Sequence, residues 1–163
     1  MREPQEIAFL SSDGKTTVKA SIWTPEEKET RGVVQICHGM MEHIRRYDEF
    51  AQELCARGFA VCGDDHLGHG RTAGSAENFG YFGEKDGWKR LVEDEDRMRR
   101  EMQARFPALP YFLLGHSMGS FITRNYITRY ADGLSGYICC GTAGRNPLTK
   151  LGIGLAGIVT ALR

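Results

Sequence analysis

The segment Gly115-His116-Ser117-Met118-Gly119 constrains this chain more than any other. It follows the apolar run Tyr111-Phe112-Leu113-Leu114, which reads as a buried strand, and it opens a helical stretch from Ser117 to about Tyr130. A strand that reverses into a helix at one residue forces that residue into a strained backbone conformation. The positions two before and two after it then pass too close to neighbouring backbone for a Cβ, and glycine stands at both 115 and 119. Such a turn exposes the Ser117 hydroxyl at the carboxyl edge of a sheet, where ligands bind in open α/β folds. An incidental glycine-rich turn with a solvated serine is the competing explanation, and motif and context together set it aside.

The rest of the chain supplies the sheet that such a turn needs. Strand signals around Ile7–Leu10 and Thr17–Trp23 flank Asp13-Gly14, a hairpin turn. Val33–Cys37 and Phe59–Cys62 read as short buried strands, and Leu134–Cys140 as one more. Between them, Tyr47, Phe50, Ala51, Leu54 and Cys55 fall on one helical face, with Gly58 placed to end that helix. A polar, glycine-containing connection runs from Arg71 to Gly87. From about Trp88 to Arg105 the residues Trp88, Leu91, Val92, Met98, Met102 and Phe106 fall in a sector about 120° wide, with charges expected on the opposite face. Strands alternating with helices predict a mostly parallel sheet flanked by helices.

Charge and cysteine content narrow the function classes. Twenty-one basic and 21 acidic residues cancel, which leaves no electrostatic footprint for a phosphate backbone, so nucleic acid is not expected as a partner. The five cysteines (37, 55, 62, 139 and 140) are odd in number and sit in or beside apolar stretches, as free thiols do. The charged start Met1-Arg2-Glu3-Pro4-Gln5-Glu6 carries no export signal, and the expected location is the cytoplasm. The longest apolar run, Leu151 to Leu162, is too short to span a bilayer.

Serine acyl transfer needs two donors for the oxyanion that develops during attack. The Met118 N–H lies at a helix N-terminus, with the helix dipole behind it. The second candidate is the Met40 N–H, in the loop His38-Gly39-Met40 after the strand Val33–Cys37, where Gly39 lets the backbone approach. His38, ending a buried strand, is read as a structural hydrogen-bonding residue rather than a base. This chemistry calls for neither a metal nor an organic cofactor.

Three ordered motifs resemble the monoacylglycerol lipase and lysophospholipase branch of the α/β-hydrolases, also grouped with serine aminopeptidases. They are His38-Gly39-Met40-Met41-Glu42-His43 with Arg46-Tyr47, Asp65-His66-Leu67-Gly68-His69-Gly70-Arg71-Thr72, and Phe112-Leu113-Leu114-Gly115-His116-Ser117-Met118-Gly119. The resemblance covers nearly the whole chain. It implies an α/β-hydrolase fold and hydrolysis of a small-molecule carboxylic ester through an acyl-enzyme on Ser117, with Met40 and Met118 as oxyanion hole. It also implies that Gly39, Gly115, Gly119 and His38 support the elbow and loop, and that Asp65 and His66 hold their loop by hydrogen bonds. Two positions depart from the family pattern: Met40 stands where a small residue is usual, and Ser120 where glycine is common.

In this fold the triad runs Ser, then Asp or Glu, then His. All five histidines (38, 43, 66, 69 and 116) precede Ser117, so none is the family base by position, and His116 is expected to point away from Oγ. Residues 1–145 are therefore read as the N-terminal part of a hydrolase core and 146–163 as the start of a cap insertion. The apolar stretch there is expected to pack on further residues or to make transient lipid or membrane contact. The chain is expected to be one piece of a longer hydrolase, nicked after Arg163, with a C-terminal segment as its partner. A peptidase or amidase on the same elbow remains an alternative, as does a catalytically inactive binding protein. An epoxide or haloalkane hydrolase is disfavoured, because those use an aspartate where Ser117 stands.

Overall fold

In the computed structural model, residues 3–26, 29–144 and 146–161 are described. The Met1-Arg2 start, the boundary position Arg145, and Leu162 and Arg163 at the end of the apolar run lie outside them.

Six strands form one sheet: β1 (Gln5–Leu10), β2 (Thr17–Trp23), β3 (Gly32–Cys37), β4 (Phe59–Asp65), β5 (Tyr111–His116) and β6 (Gly136–Cys140). The order across it is β1-β2-β4-β3-β5-β6. The neighbouring strands β4, β3, β5 and β6 are parallel, and the β1–β2 hairpin joins them at the edge through antiparallel pairings of β1 with β2 and of β2 with β4. Asp13 closes the hairpin turn, accepting from the N–H groups of Lys15 and Thr16, while Gly14 takes the left-handed φ of +75°.

Among the described residues the α-helices are α1 (Asp48–Ala56), the single turn α2 (Gly70–Ala73), α3 (Gly87–Arg105), α4 (Met118–Tyr130) and α5 (Thr149–Ala161). Period-two alternation on the central strands sorts their side chains onto two faces. Val34, Ile36 and Leu114 pack with Ala51 and Leu54 of α1 on one side. Val33, Cys37, Tyr111 and Leu113 meet Met98 and Met102 of α3 or Ile122 and Tyr126 of α4 on the other.

Three expectations need correction. β4 runs three residues past Cys62, because Gly63, Asp64 and Asp65 pair with Ser21, Ala20 and Lys19 of β2. The polar connection 71–87 contains helical turns at Gly70–Ala73 and Ala76–Asn78. On α3, charge is not confined to the outer face: Asp94, Glu95, Asp96 and Arg99 are buried beside Leu91, Val92, Met98 and Met102. Each has a polar partner in the interior: Asp94 accepts from Ser11 Oγ at 2.7 Å, Asp96 from Tyr126 OH at 3.0 Å, Glu95 from Gln35, and Arg99 donates to the Tyr130 carbonyl at 2.8 Å.

β3 is the switch point of the sheet, since the chain crosses to β4 on one side of it and to β5 on the other. The loops leaving β3 and β5 therefore open side by side at the carboxyl edge, with Cys37 opposite Gly115 in register.

Candidate active site

Ser117 occupies the single position between β5 and α4, with φ 51° and ψ −115°, a conformation that non-glycine residues rarely adopt. The crowding expected around such a turn is present. A Cβ on Gly115 would lie 2.4 Å from the Gly119 carbonyl oxygen and from Thr123 Oγ1, and one on Gly119 would lie 2.0 Å from the Cys37 carbonyl oxygen. The elbow is tied to its neighbours through backbone: Ser117 N–H donates to the Cys140 carbonyl at 2.9 Å. Ser120, the departure from glycine, is accommodated because its hydroxyl donates to the Ser117 carbonyl at 2.6 Å.

The loop after β3 lies against this elbow. A Cβ on Gly39 would meet Ser117 Cβ at 3.2 Å, so Gly39 brings the Met40 backbone alongside Ser117. Neither the Met40 N–H nor the Met118 N–H has an acceptor among the described residues. Met118 is the first residue of α4, where an N–H has no intrahelical partner. The Met40 side chain is half exposed at the mouth of the site.

His38 is fully buried and is engaged at both ring nitrogens. Its Nδ1–H donates to the Gly39 carbonyl at 2.7 Å, and its Nε2 accepts from the His66 N–H at 3.1 Å. Burial, then the neighbouring His66, push its pKa far down, so the ring stays neutral and holds the loop. Asp65 accepts from the Ile44 N–H at 2.8 Å and from Arg71 Nε at 2.7 Å, tying the end of β4 and α2 to the 3-10 turn Ile44–Tyr47 that precedes α1.

Three residues quoted in the motifs had no role assigned from sequence, and the structure brings them together. Glu42 Oε2 accepts from the Gly39 N–H at 3.0 Å and from Tyr47 OH at 2.8 Å, with His116 Nδ1 at 3.4 Å. Burial pushes the Glu42 carboxyl up, but these hydrogen bonds outweigh it and hold the pKa below its ordinary value. Burial and then Glu42 push the Tyr47 phenol up, which keeps it a donor. Their sequence separation hid the cluster: it joins the β3 loop, the residue before α1 and the last residue of β5.

Asp64, His66 and Glu95 form the grouping with metal-ligand chemistry among the described residues. Both nitrogens of His66 face acceptors, Nδ1 toward Asp64 Oδ2 and Nε2 toward the His38 carbonyl, each at 3.2 Å. A ring donating at both nitrogens has no lone pair for a metal. The cluster is fully buried, and its residues make no hydrogen bond to Ser117 among the described residues.

None of the five histidines hydrogen-bonds to Ser117 Oγ among the described residues. A groove of about 770 Å³ between the β1–β2 edge and α1 shares no lining residue with the site. No described helix is long and apolar enough to cross a membrane.

Known proteins resemble this chain in sequence and in overall fold. The monoacylglycerol lipase of Mycolicibacterium smegmatis is 35% identical over 130 residues, covering 80% of this chain and 44% of that protein. Human monoglyceride lipase is 32% identical over 130 residues, covering 74% of this chain and 39% of that protein. A solved structure of a thermostable carboxyl esterase from Bacillus coagulans in complex with glycerol superposes with a TM-score of 0.86 at 44% identity, covering 99% of this chain and 52% of the esterase. The chain thus spans about half the length of the relatives it matches, or less. The family described as serine aminopeptidase, S33, matches residues 28–161. With that match over most of its length, and with monoglyceride lipases among its relatives, the chain belongs to the serine aminopeptidase S33 family of the α/β-hydrolase fold.

Proposed function

We propose that this chain is the nucleophile-bearing part of a serine hydrolase that cleaves carboxylic esters of the monoacylglycerol or lysophospholipid type. The observation that carries the reading is Ser117 in a strained elbow between β5 and α4, flanked by the unpartnered N–H groups of Met40 and Met118. Ser117 Oγ attacks the ester carbonyl carbon, and the carbonyl oxygen becomes an oxyanion that accepts from these two N–H groups. Collapse expels the alcohol, which takes up the serine proton, and water then releases the acid from the acyl-enzyme. The proton passes through a histidine base, oriented by an acid, both contributed by a C-terminal segment of the same protein. Support for that segment is the position of all five histidines before Ser117, none of them bonded to Oγ.

Residues 146–161 belong to the start of a cap in this reading. Ile153, Ile158 and Val159 on α5 are exposed, which suits contact with an acyl chain, a lipid surface or the C-terminal segment. The expected location is the cytoplasm, and the reaction runs without metal or organic cofactor. The peptidase alternative draws on the family description, whereas the lipase and esterase relatives favour esters.

Fluorophosphonate labelling of the full-length protein tests the proposal. Labelling that maps to Ser117 and vanishes in Ser117→Ala is the expected result, followed by turnover of monoacylglycerols above aminoacyl amides. A protein that takes up no phosphonate would instead be a binding protein that keeps the fold.

A further inference from the structure

We propose that Glu42 is a positioning residue for acyl transfer at Ser117: its carboxylate holds the Gly39 amide and thereby keeps the Met40 N–H set for the oxyanion. The inference rests on the ester-hydrolase reading above and adds a residue that this reading does not use.

Glu42 stands two residues past Met40 on the loop it would control. Between them Met41 is left-handed, with φ 58°, and nearly fully exposed, so packing does not hold it in that conformation. A non-glycine residue in that region is strained and persists only where its surroundings impose it. The constraint visible here is the hydrogen bond from Gly39 N–H to Glu42 Oε2, which closes the turn around Met40 and Met41.

The carboxylate is itself fixed from two other parts of the fold. Tyr47, the residue before α1, donates to the same oxygen, and His116, the residue before the nucleophile, brings Nδ1 to 3.4 Å from that oxygen and to 3.1 Å from the Tyr47 hydroxyl. One oxygen therefore joins the oxyanion loop to the elbow. A Cβ on Gly39 would sit 3.2 Å from Glu42 Oε2 and 3.2 Å from Ser117 Cβ, so Gly39 is held between the two side chains. The surrounding donors also tell against Glu42 as a general base, since its inward oxygen is already in use. Arg46 lies 3.7 Å from the other oxygen, with its side chain largely exposed, and adds little.

Aiming one backbone donor matters because loss of a single oxyanion-hole donor costs about a hundredfold to a thousandfold in kcat. Displacing Met40 rather than deleting its N–H should cost less. With p-nitrophenyl butyrate and full-length protein, Glu42→Ala is expected to lower kcat about tenfold to a hundredfold while KM stays within about twofold, the signature of an interaction made in the transition state. Glu42→Gln keeps an acceptor oxygen and should recover most of the loss. Tyr47→Phe, which leaves the carboxylate in place but loosens it, should lie between wild type and Glu42→Ala.

Amide hydrogen exchange supplies a readout independent of turnover. The Gly39 amide should exchange at least about tenfold faster in Glu42→Ala, with the amides of α4 unchanged, which separates a loosened loop from a loss of folding. An active wild type with kcat unaffected by Glu42→Ala overturns the positioning role alone. So does a rise in KM at constant kcat, which would assign Glu42 to substrate binding. A wild type that neither hydrolyses the ester nor takes up phosphonate overturns this role together with the hydrolase reading.

Discussion

The carbonyl oxygen of Cys37 lies 2.0 Å from where a Cβ on Gly119 would stand, so the end of β3 and the first turn of α4 meet backbone to backbone. This contact sets Ser117 beside the loop that leaves β3. Because backbone on both sides is fixed by the sheet and the helix, Gly119→Ala cannot be relieved by a rotamer change. The substitution should cost about 3 kcal/mol or more, at or above the upper end of ordinary overpacking. Urea denaturation measures it, and a cost below about 1 kcal/mol would mean that α4 can slide away from β3.

Ser117 itself should be a site where stability and chemistry oppose each other. Its backbone conformation costs on the order of 1–3 kcal/mol for a residue with a Cβ, while glycine would add roughly 0.5–1 kcal/mol of unfolded-state freedom. Ser117→Gly is therefore expected to raise stability by about 1 kcal/mol and to abolish phosphonate labelling. Ser117→Ala should abolish labelling with no such gain. Equal melting temperatures for the two variants would show that the elbow is unstrained in solution.

The buried ion cluster gives the fold a pH dependence of definite sign. Burial alone would lower the pKa of His66, but Asp64, Glu95 and the His38 carbonyl outweigh it and lift the value to about 9. A folded pKa above the unfolded value of 6.5 means that this stabilisation is complete below pH 6.5 and is lost as pH rises toward 9. Burial and then Asp64 push the Glu95 carboxyl up as well, so its protonated form is also favoured by folding and its contribution is lost in the same direction. The urea midpoint should fall between pH 6.5 and 9 by an amount worth on the order of 1–3 kcal/mol, with a shallower fall in Glu95→Gln. A flat profile across that window would argue that His66 is neutral in the fold.

Thiol reactivity should follow burial. Cys140 is exposed, whereas Cys37 and Cys62 are fully buried and burial pushes their thiols up. Cys55 is half buried and raised to about 11. A disulfide reagent such as DTNB should titrate Cys140 first, with Cys37 and Cys62 reacting only on unfolding. Early modification of Cys62 in native protein would mean that β4 opens readily.

Much of the fold was legible because its signals are local. The short buried runs of β3 and β5, the one-sided apolar face of α1 and the glycines around Ser117 each lie within a few consecutive residues, so local pattern alone carries the structure. The buried charges of α3 were only partly legible. In a helical projection Glu95 and Arg99 fall inside the apolar sector, between Met98 and Val92, whereas Asp94 and Asp96 fall outside it on either side, and only their partners, Ser11, Gln35 and Tyr126 from three other parts of the chain, make burial tolerable. β4 likewise extends beyond its apolar residues because β2 offers a pairing edge that the sequence of β4 does not encode.

At the site the division is equally physical. The sequence by itself determined that residue 117 must sit in a strained turn between strand and helix, since glycine at 115 and 119 answers a steric demand that any such turn makes. Only the tertiary structure decided what stands around it. The switch in strand order at β3 brings Gly39 against Ser117, and the meeting of three distant segments at Glu42 joins Gly39, Tyr47 and His116 around one carboxylate. Hydrogen bonds across dozens of residues depend on where the sheet places its ends, and that placement is a property of the whole fold rather than of any stretch of the chain.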